Sequence, residues 1–208
     1  MSGVINMGRA KGPTYQVPFR RRREARTNYR LRYKLLKSDK PLFVVRRSLK
    51  YIYVSIMKPD IGGDKTIVSV SSKILKDKYG WYGLKNTPAA YLTGYIAGKY
   101  ALKKGVKEAI LNLGVAWSKN ASIPYAAVMG ARDAGLDIPM GEEVLVDEDR
   151  IKGLHIAEYA KLLKERDPDL FKRRFSIYLE MGIDPMKIPE MFEDVKNKII
   201  SDLGDTDG

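Results

Sequence analysis

The chain has 208 residues, of which 44% are hydrophobic and none is cysteine, and its formal net charge is +13. That is enough apolar material for a packed core. The lack of cysteine excludes a disulfide framework and thiolate metal sites, and no apolar run reaches the eighteen or so residues a membrane-spanning helix needs. No apolar stretch follows Met1, so no secretory signal is expected, and the cytoplasm is the expected location. The charge is graded along the chain. Residues 1–58 hold 16 Lys/Arg against 2 Asp/Glu, residues 59–124 hold 10 against 4, and residues 125–208 hold 12 against 19. Charge kept only for solubility would be mixed in sign everywhere. A basic front and an acidic tail point instead to a polyanion met by one face.

Residues 1–19 contain glycine and proline with no helical or strand period, and read as an arm without its own core. Arg20, Arg21, Arg22 and Arg23 follow, then Arg26, Arg30 and Arg32 on a stretch from Ala25 to Lys37 that is expected to be helical. There Tyr29, Tyr33 and Leu36 fall at i, i+4 and i+7 and predict one apolar seam, with arginines on the remaining surface. Pro41 ends this element.

Leu42–Val45 and Tyr51–Met57 read as strands flanking a turn at Arg46, Arg47, Ser48, Leu49 and Lys50. In the second strand Ile52, Val54 and Ile56 share a core face, and Tyr51, Tyr53 and Ser55 share the other. A turn at 60–64 leads to a third strand, Thr66–Ser71, completing an antiparallel meander.

A helix is predicted over 88–104, capped by Thr87, with Pro88 at its first position and Gly105 as its stop. Its Ala90, Gly94 and Gly98 lie at i, i+4 and i+8. Glycine costs about 1 kcal/mol inside a helix, so this stripe suggests close approach to a sheet or to an RNA backbone. A strand over Val106–Leu113 follows, then a helix over 123–134 capped by Ser122 and stopped by Gly135, and a short strand at Leu136–Ile138. From Val146 on the pattern is helical, with helices near 155–166, 169–181 and 189–203. Phe192, Val195, Ile199, Ile200 and Leu203 form an apolar face on the last, and the terminal GDTDG is expected to fray.

The fold class expected is therefore α/β (α+β): a mixed sheet of about four to five strands with helices packed on it, an extended basic N-terminal arm and a helical C-terminal extension. The corresponding division is 1–37, 38–145 and 146–208.

Catalytic groups are scarce. His155 is the single histidine, placed at a helix start where a surface or capping role suffices, and no G-x-S-x-G occurs. Gly94–Tyr100 (GYIAGKY) looks like a phosphate loop but is one residue short, has Tyr100 where Ser or Thr must bind magnesium, and lies mid-helix. Glu142, Glu143 and the Asp147–Asp149 run read better as charge near a helix N-terminus than as a metal site. Neither enzymatic activity nor a cofactor, metal or small-molecule substrate is expected. A basic DNA-binding or chromatin-type protein, and an RNA-processing enzyme holding magnesium at the acidic run, stay open as alternatives.

For RNA the residue types fit. Arginine offers a fork for phosphate and a plane for stacking, and Tyr15, Phe19, Tyr29 and Tyr33 are interleaved with the arginines. Tyr29 and Tyr33 stay open between packing and RNA. Tyr51 and Tyr53 are assigned to RNA, since their strand has a complete apolar face on its other side.

Several stretches resemble a known family. Tyr15–Glu24 (YQVPFRRRRE) and Thr27–Arg32 (TNYRLR) resemble the opening of the archaeal branch of the large-subunit ribosomal protein eighteen family, which includes the related eukaryotic 5S-rRNA-binding protein. Lys40–Ser48 (KPLFVVRRS), Lys85–Gly94 (KNTPAAYLTG), Gly105–Leu111 (GVKEAIL) and Asp133–Pro139 (DAGLDIP) continue the resemblance in order. The resemblance implies a non-catalytic, 5S rRNA-binding component of the central protuberance, with a mixed sheet backed by two helices. It also implies 23S rRNA and neighbouring large-subunit proteins as further partners. Carried over residue by residue, it implies RNA contacts at Arg20, Arg21, Arg22, Arg23, Arg26, Arg30, Arg32, Arg46, Arg47 and Lys50.

Overall fold

Strands β1 (Leu42–Arg47), β2 (Ile52–Lys58) and β3 (Lys65–Ser71) form the expected antiparallel meander in a computed structural model that describes residues 12–115 and 119–204. Strand β4 (Ile110–Asn112) joins β1 in parallel, giving the order β3-β2-β1-β4. The pairings Phe43 with Ile56, Val45 with Val54 and Val54 with Val70 put one residue in two on a common face. On that face Phe43, Val45, Ile52, Val54, Ile56, Val68 and Val70 are all buried in the core.

The fourth strand is shorter than expected. Only three residues of 106–113 pair with β1, and Leu136–Ile138 contributes a single parallel bridge, Glu108 to Asp137, instead of a strand. Pro139 follows at once and has no N–H to continue a ladder.

Helices α1 (Arg20–Arg23) and α2 (Tyr29–Ser38) precede the sheet, and α3 (Lys73–Tyr79), α4 (Thr87–Lys103) and α5 (Ile123–Asp133) follow the meander. The helix expected from Ala25 is broken at that residue, whose φ of 52° lies in the left-handed region. Helix α2 starts afresh where the Asn28 side chain accepts from the Leu31 N–H at 3.1 Å. Similarly, α4 is capped by Asn86, which accepts from the Ala89 N–H at 2.9 Å, so Thr87 becomes its first residue.

The glycine stripe of α4 faces another helix, not the sheet or RNA. A Cβ on Gly94 would overlap the Ala127 backbone of α5, and one on Gly98 would lie 2.9 Å from the Ala134 methyl. Gly130 of α5 reciprocates against the Tyr91 carbonyl. Bare backbone on both sides lets the two helices cross closely, and their van der Waals contact offsets the propensity cost.

The remaining chain is helical: α6 (Glu148–Lys152), α7 (Leu154–Arg166), α8 (Pro168–Arg174), α9 (Ser176–Glu180) and α10 (Ile188–Leu203). The helix expected over 169–181 divides at Phe175, whose φ of −107° and ψ of 19° leave the helical range. That ring turns inward to build a small satellite core with Ala160, Leu163 and Phe171. The apolar face of α10 behaves as its spacing predicts. Phe192, Val195, Ile199 and Leu203 are buried in the main core, and Ile200 flanks them half-buried. Phe192 meets Trp81 edge-on at 6.3 Å and Tyr91 at 5.6 Å, and Tyr79 donates to Asp202 at 2.8 Å.

Candidate nucleic-acid interface

The second face of the sheet is divided into a covered end and an open end. Leu42, Val44 and Ser55 lie on it and are nevertheless buried. At the covered end, Leu31, Leu35 and Leu36 of α2 line a cavity together with Leu42. The seam expected from Tyr29, Tyr33 and Leu36 has rotated, for Tyr33 is 67% exposed and Arg32 is half-buried. Arg32 can take an inward position because both terminal nitrogens of its guanidinium are engaged. It grips both carboxylate oxygens of Asp64 at 3.0 and 3.2 Å and donates to the Asp60 carbonyl at 2.9 Å. Its aliphatic stem then packs as a hydrophobe, and α2 is tied to the β2–β3 turn.

At the open end Arg46 and Tyr53 are cross-strand partners, and Tyr53 is 41% exposed. Arg46 donates from Nη1 to its neighbour's carbonyl on Val45 at 2.8 Å and to the Asn112 carbonyl of β4 at 2.9 Å. Desolvation lowers its pKa from the ordinary value. Arg47 is also exposed but falls on the opposite side of the pleat. Lys50 is exposed in the turn between β1 and β2. That turn is fixed by Ser48, whose hydroxyl accepts from the Tyr51 N–H at 2.9 Å while its own N–H donates to the Tyr51 carbonyl at 2.9 Å. Tyr51 itself is half-buried.

In the arm, Arg20, Arg21, Arg22, Arg23, Arg26 and Arg30 are all exposed. Arg20 and Arg26 share Glu24, at 3.4 and 3.3 Å, in solvent where such pairs contribute little. Arg21 donates from Nε to the Thr27 hydroxyl at 2.8 Å. Tyr29 packs on Phe19 at 5.2 Å between ring centres. Its ring therefore stiffens the arm, and Tyr33 is the freer of the two aromatics. Residues 1–11 of the expected arm, and the terminal residues expected to fray after Gly204, lie outside the described residues.

The cavity under α2 holds about 180 Å³ and brings Arg21, Arg26, Arg32 and Arg46 to one place. The meander and the arm thus present cations to the same region, with Arg47 and Lys50 displaced from it.

A family described as "Ribosomal large subunit proteins 60S L5, and 50S L18" matches residues 13–110, which take in the arm from residue 13 on, the meander and α4. The "Large ribosomal subunit protein uL18" of Staphylothermus marinus is 48% identical over 200 residues, covering 96% of this chain and 99% of the relative. That of Thermofilum pendens is 53% identical over 191 residues, covering 91% and 97%. The chain belongs to this ribosomal protein family.

As a member of the uL18 family it is a structural protein and not an enzyme. Among the described residues no cluster of three or more His, Asp or Glu side chains is arranged to hold a metal. Instead, Asp147 sits at the N-cap of α6 with Glu148 and Asp149 in its first turn, where carboxylates complement the helix dipole. The site also includes residues that the sequence did not single out. Thr27 orients Arg21, Asn28 caps α2, and Asn112 and Gly114 bring the end of β4 against Arg46. Only Asn28 carried a local signal, as a capping residue before a helix. Asn112 and Gly114 matter because the end of β4 lies against Arg46, 66 residues away from Asn112 in sequence.

Proposed function

We propose that this chain is a structural component of the large ribosomal subunit that binds 5S rRNA and helps attach it at the central protuberance. The arm of residues 1–37 and the open end of the sheet carry the RNA contacts, with 23S rRNA and neighbouring large-subunit proteins as further partners. The observation that carries this reading is the convergence of Arg21, Arg26 and Arg46 beside exposed Arg22, Arg23 and Arg30, for which no carboxylate partner occurs among the described residues. Exposed guanidiniums left without acidic partners suit a phosphate backbone. The acidic 146–208 segment, whose last helix is packed into the core, supports a division in which the tail faces protein and the front faces RNA.

Replacing Arg20–Arg23 with alanine weakens 5S rRNA binding and flattens its salt dependence. Each lost phosphate contact lowers the slope of log K against log salt by about 0.7–0.9, and an unchanged slope overturns the arm as the electrostatic anchor. Competition with duplex DNA separates this reading from a DNA-binding one, which requires DNA to displace the RNA.

A further inference from the structure

The arginines of the front are not equivalent. Arg22, Arg23 and Arg30 are exposed, and no partner for their side chains occurs among the described residues. Three others are each held by part of the guanidinium, leaving further N–H donors for a ligand. Arg21 is held by Thr27 through Nε, Arg26 by Glu24 through Nε, and Arg46 by two carbonyls through Nη1. All three line the 180 Å³ cavity between α2 and the β1–β4 edge. A guanidinium already oriented loses less rotamer entropy on binding than a free one.

The cavity is recessed and two-sided in chemistry. Arginine and asparagine groups share its lining with aliphatic Leu31, Leu42 and Val115, and the one carboxylate there, Asp64, is held by Arg32. It has space for roughly six water molecules at their liquid volume, more than a bare side-chain contact needs. A second cavity, of about 640 Å³, shares Thr27, Asn28 and Val115 with it and adds Arg22, Tyr29 and Arg30. The two cavities therefore lie on either side of a shared wall at the base of the arm. The backbone of an A-form helix is held with its bases stacked inward, whereas nucleotides in loops and bulges can be splayed out.

We propose that this cleft holds one RNA nucleotide turned out of its stack, with its phosphodiester on Arg21, Arg26 and Arg46 and its ribose against the aliphatic wall. The adjoining cavity receives the next nucleotide. The inference rests on the RNA reading above and adds to it a built subsite for single-stranded RNA. Thr27 is then a positioning residue, which acts through Arg21 and not through its own contact.

The test is ethylation interference on 5S rRNA with the full chain, comparing wild type with Arg46→Gln, Arg21→Gln and, as a control, Arg23→Gln. In wild type, one or two adjacent phosphates interfere most strongly. Those positions lose their effect in Arg46→Gln and Arg21→Gln and keep it in Arg23→Gln. Loss of a charge-assisted contact weakens binding by about tenfold or more in the first two variants. Thr27→Val lowers affinity while leaving the salt slope unchanged, because no charge is removed. Circular dichroism checks each fold. Arg21 lies in an exposed single turn, so its variant carries the test even if Arg46→Gln is destabilised. An unaltered interference pattern with affinity within about twofold of wild type overturns the cleft and leaves the RNA reading standing. Failure of the wild-type chain to bind 5S rRNA overturns both.

Discussion

Helices α2 and α10 both cover apolar surface of the central layers, but they are held by different forces. Helix α10 contributes Phe192, Val195, Ile199 and Leu203 to the main core, together with a phenol–carboxylate bond from Tyr79 to Asp202. Helix α2 contributes half-buried leucines and the Arg32–Asp64 ion pair, and has no fully buried residue. Burial of apolar area is not screened by salt, while an ion pair that keeps some contact with solvent is partly screened by it. The C-terminal helix is therefore part of the fold. The N-terminal one is a lightly docked element.

The largest expected effect is at the α10 contact. Phe192→Ala removes a fully buried ring between Trp81 and Tyr91 and costs about 3–5 kcal/mol. Thermal or denaturant unfolding measures it, and a loss under about 1 kcal/mol would mean that α10 is not integral to the core.

Alkaline pH tests the same contrast at smaller scale. Tyr79 and Tyr91 are raised well above the ordinary phenol value of 10.0, first by burial and then by their bonds to Asp202 and Asp133. Tyr178, bonded to the Tyr82 carbonyl at 3.2 Å, is pushed up to about 12 by burial. In the unfolded chain these phenols ionise near 10, and in the fold they resist. Their contribution is complete below that pH and is lost as pH rises through the folded values. Melting temperature should hold to about pH 10 and then fall, and Tyr91→Phe should make the fall shallower. An equally steep fall in that variant would remove Tyr91 from the cause.

The smallest effect belongs to α2. Asp64→Asn keeps one acceptor oxygen and costs about 1–2 kcal/mol, with faster amide exchange confined to Tyr29–Ser38 and a salt dependence weaker than wild type's. Exchange that quickened equally in α10 would show the two regions to be coupled.

Much of this was readable in advance because it depends on local patterns. Alternation over Ile52, Val54 and Ile56 set the core face of β2, and spacing over Phe192, Val195 and Ile199 set the buried face of α10. Charge clustering located the arm. Partners distant in sequence left no such trace. The glycine stripe announced a close approach without naming α5, and Tyr29 and Tyr33 looked like a seam with Leu36 until Leu31 and Leu35 joined Leu36 on the inward side.

The sequence by itself determined the family, the three-strand meander and the basic front, since motifs, alternation and charge are properties of neighbouring residues. Tertiary structure alone decided how Arg32 and Arg46 are engaged. Arg32 became a structural clamp because the β2–β3 turn carries Asp64 to it, and Arg46 became part of a cleft because β4 returns beside β1. Whether a guanidinium is neutralised, oriented or free depends on what chain closure places within about 3 Å of it, a distance that no local pattern encodes.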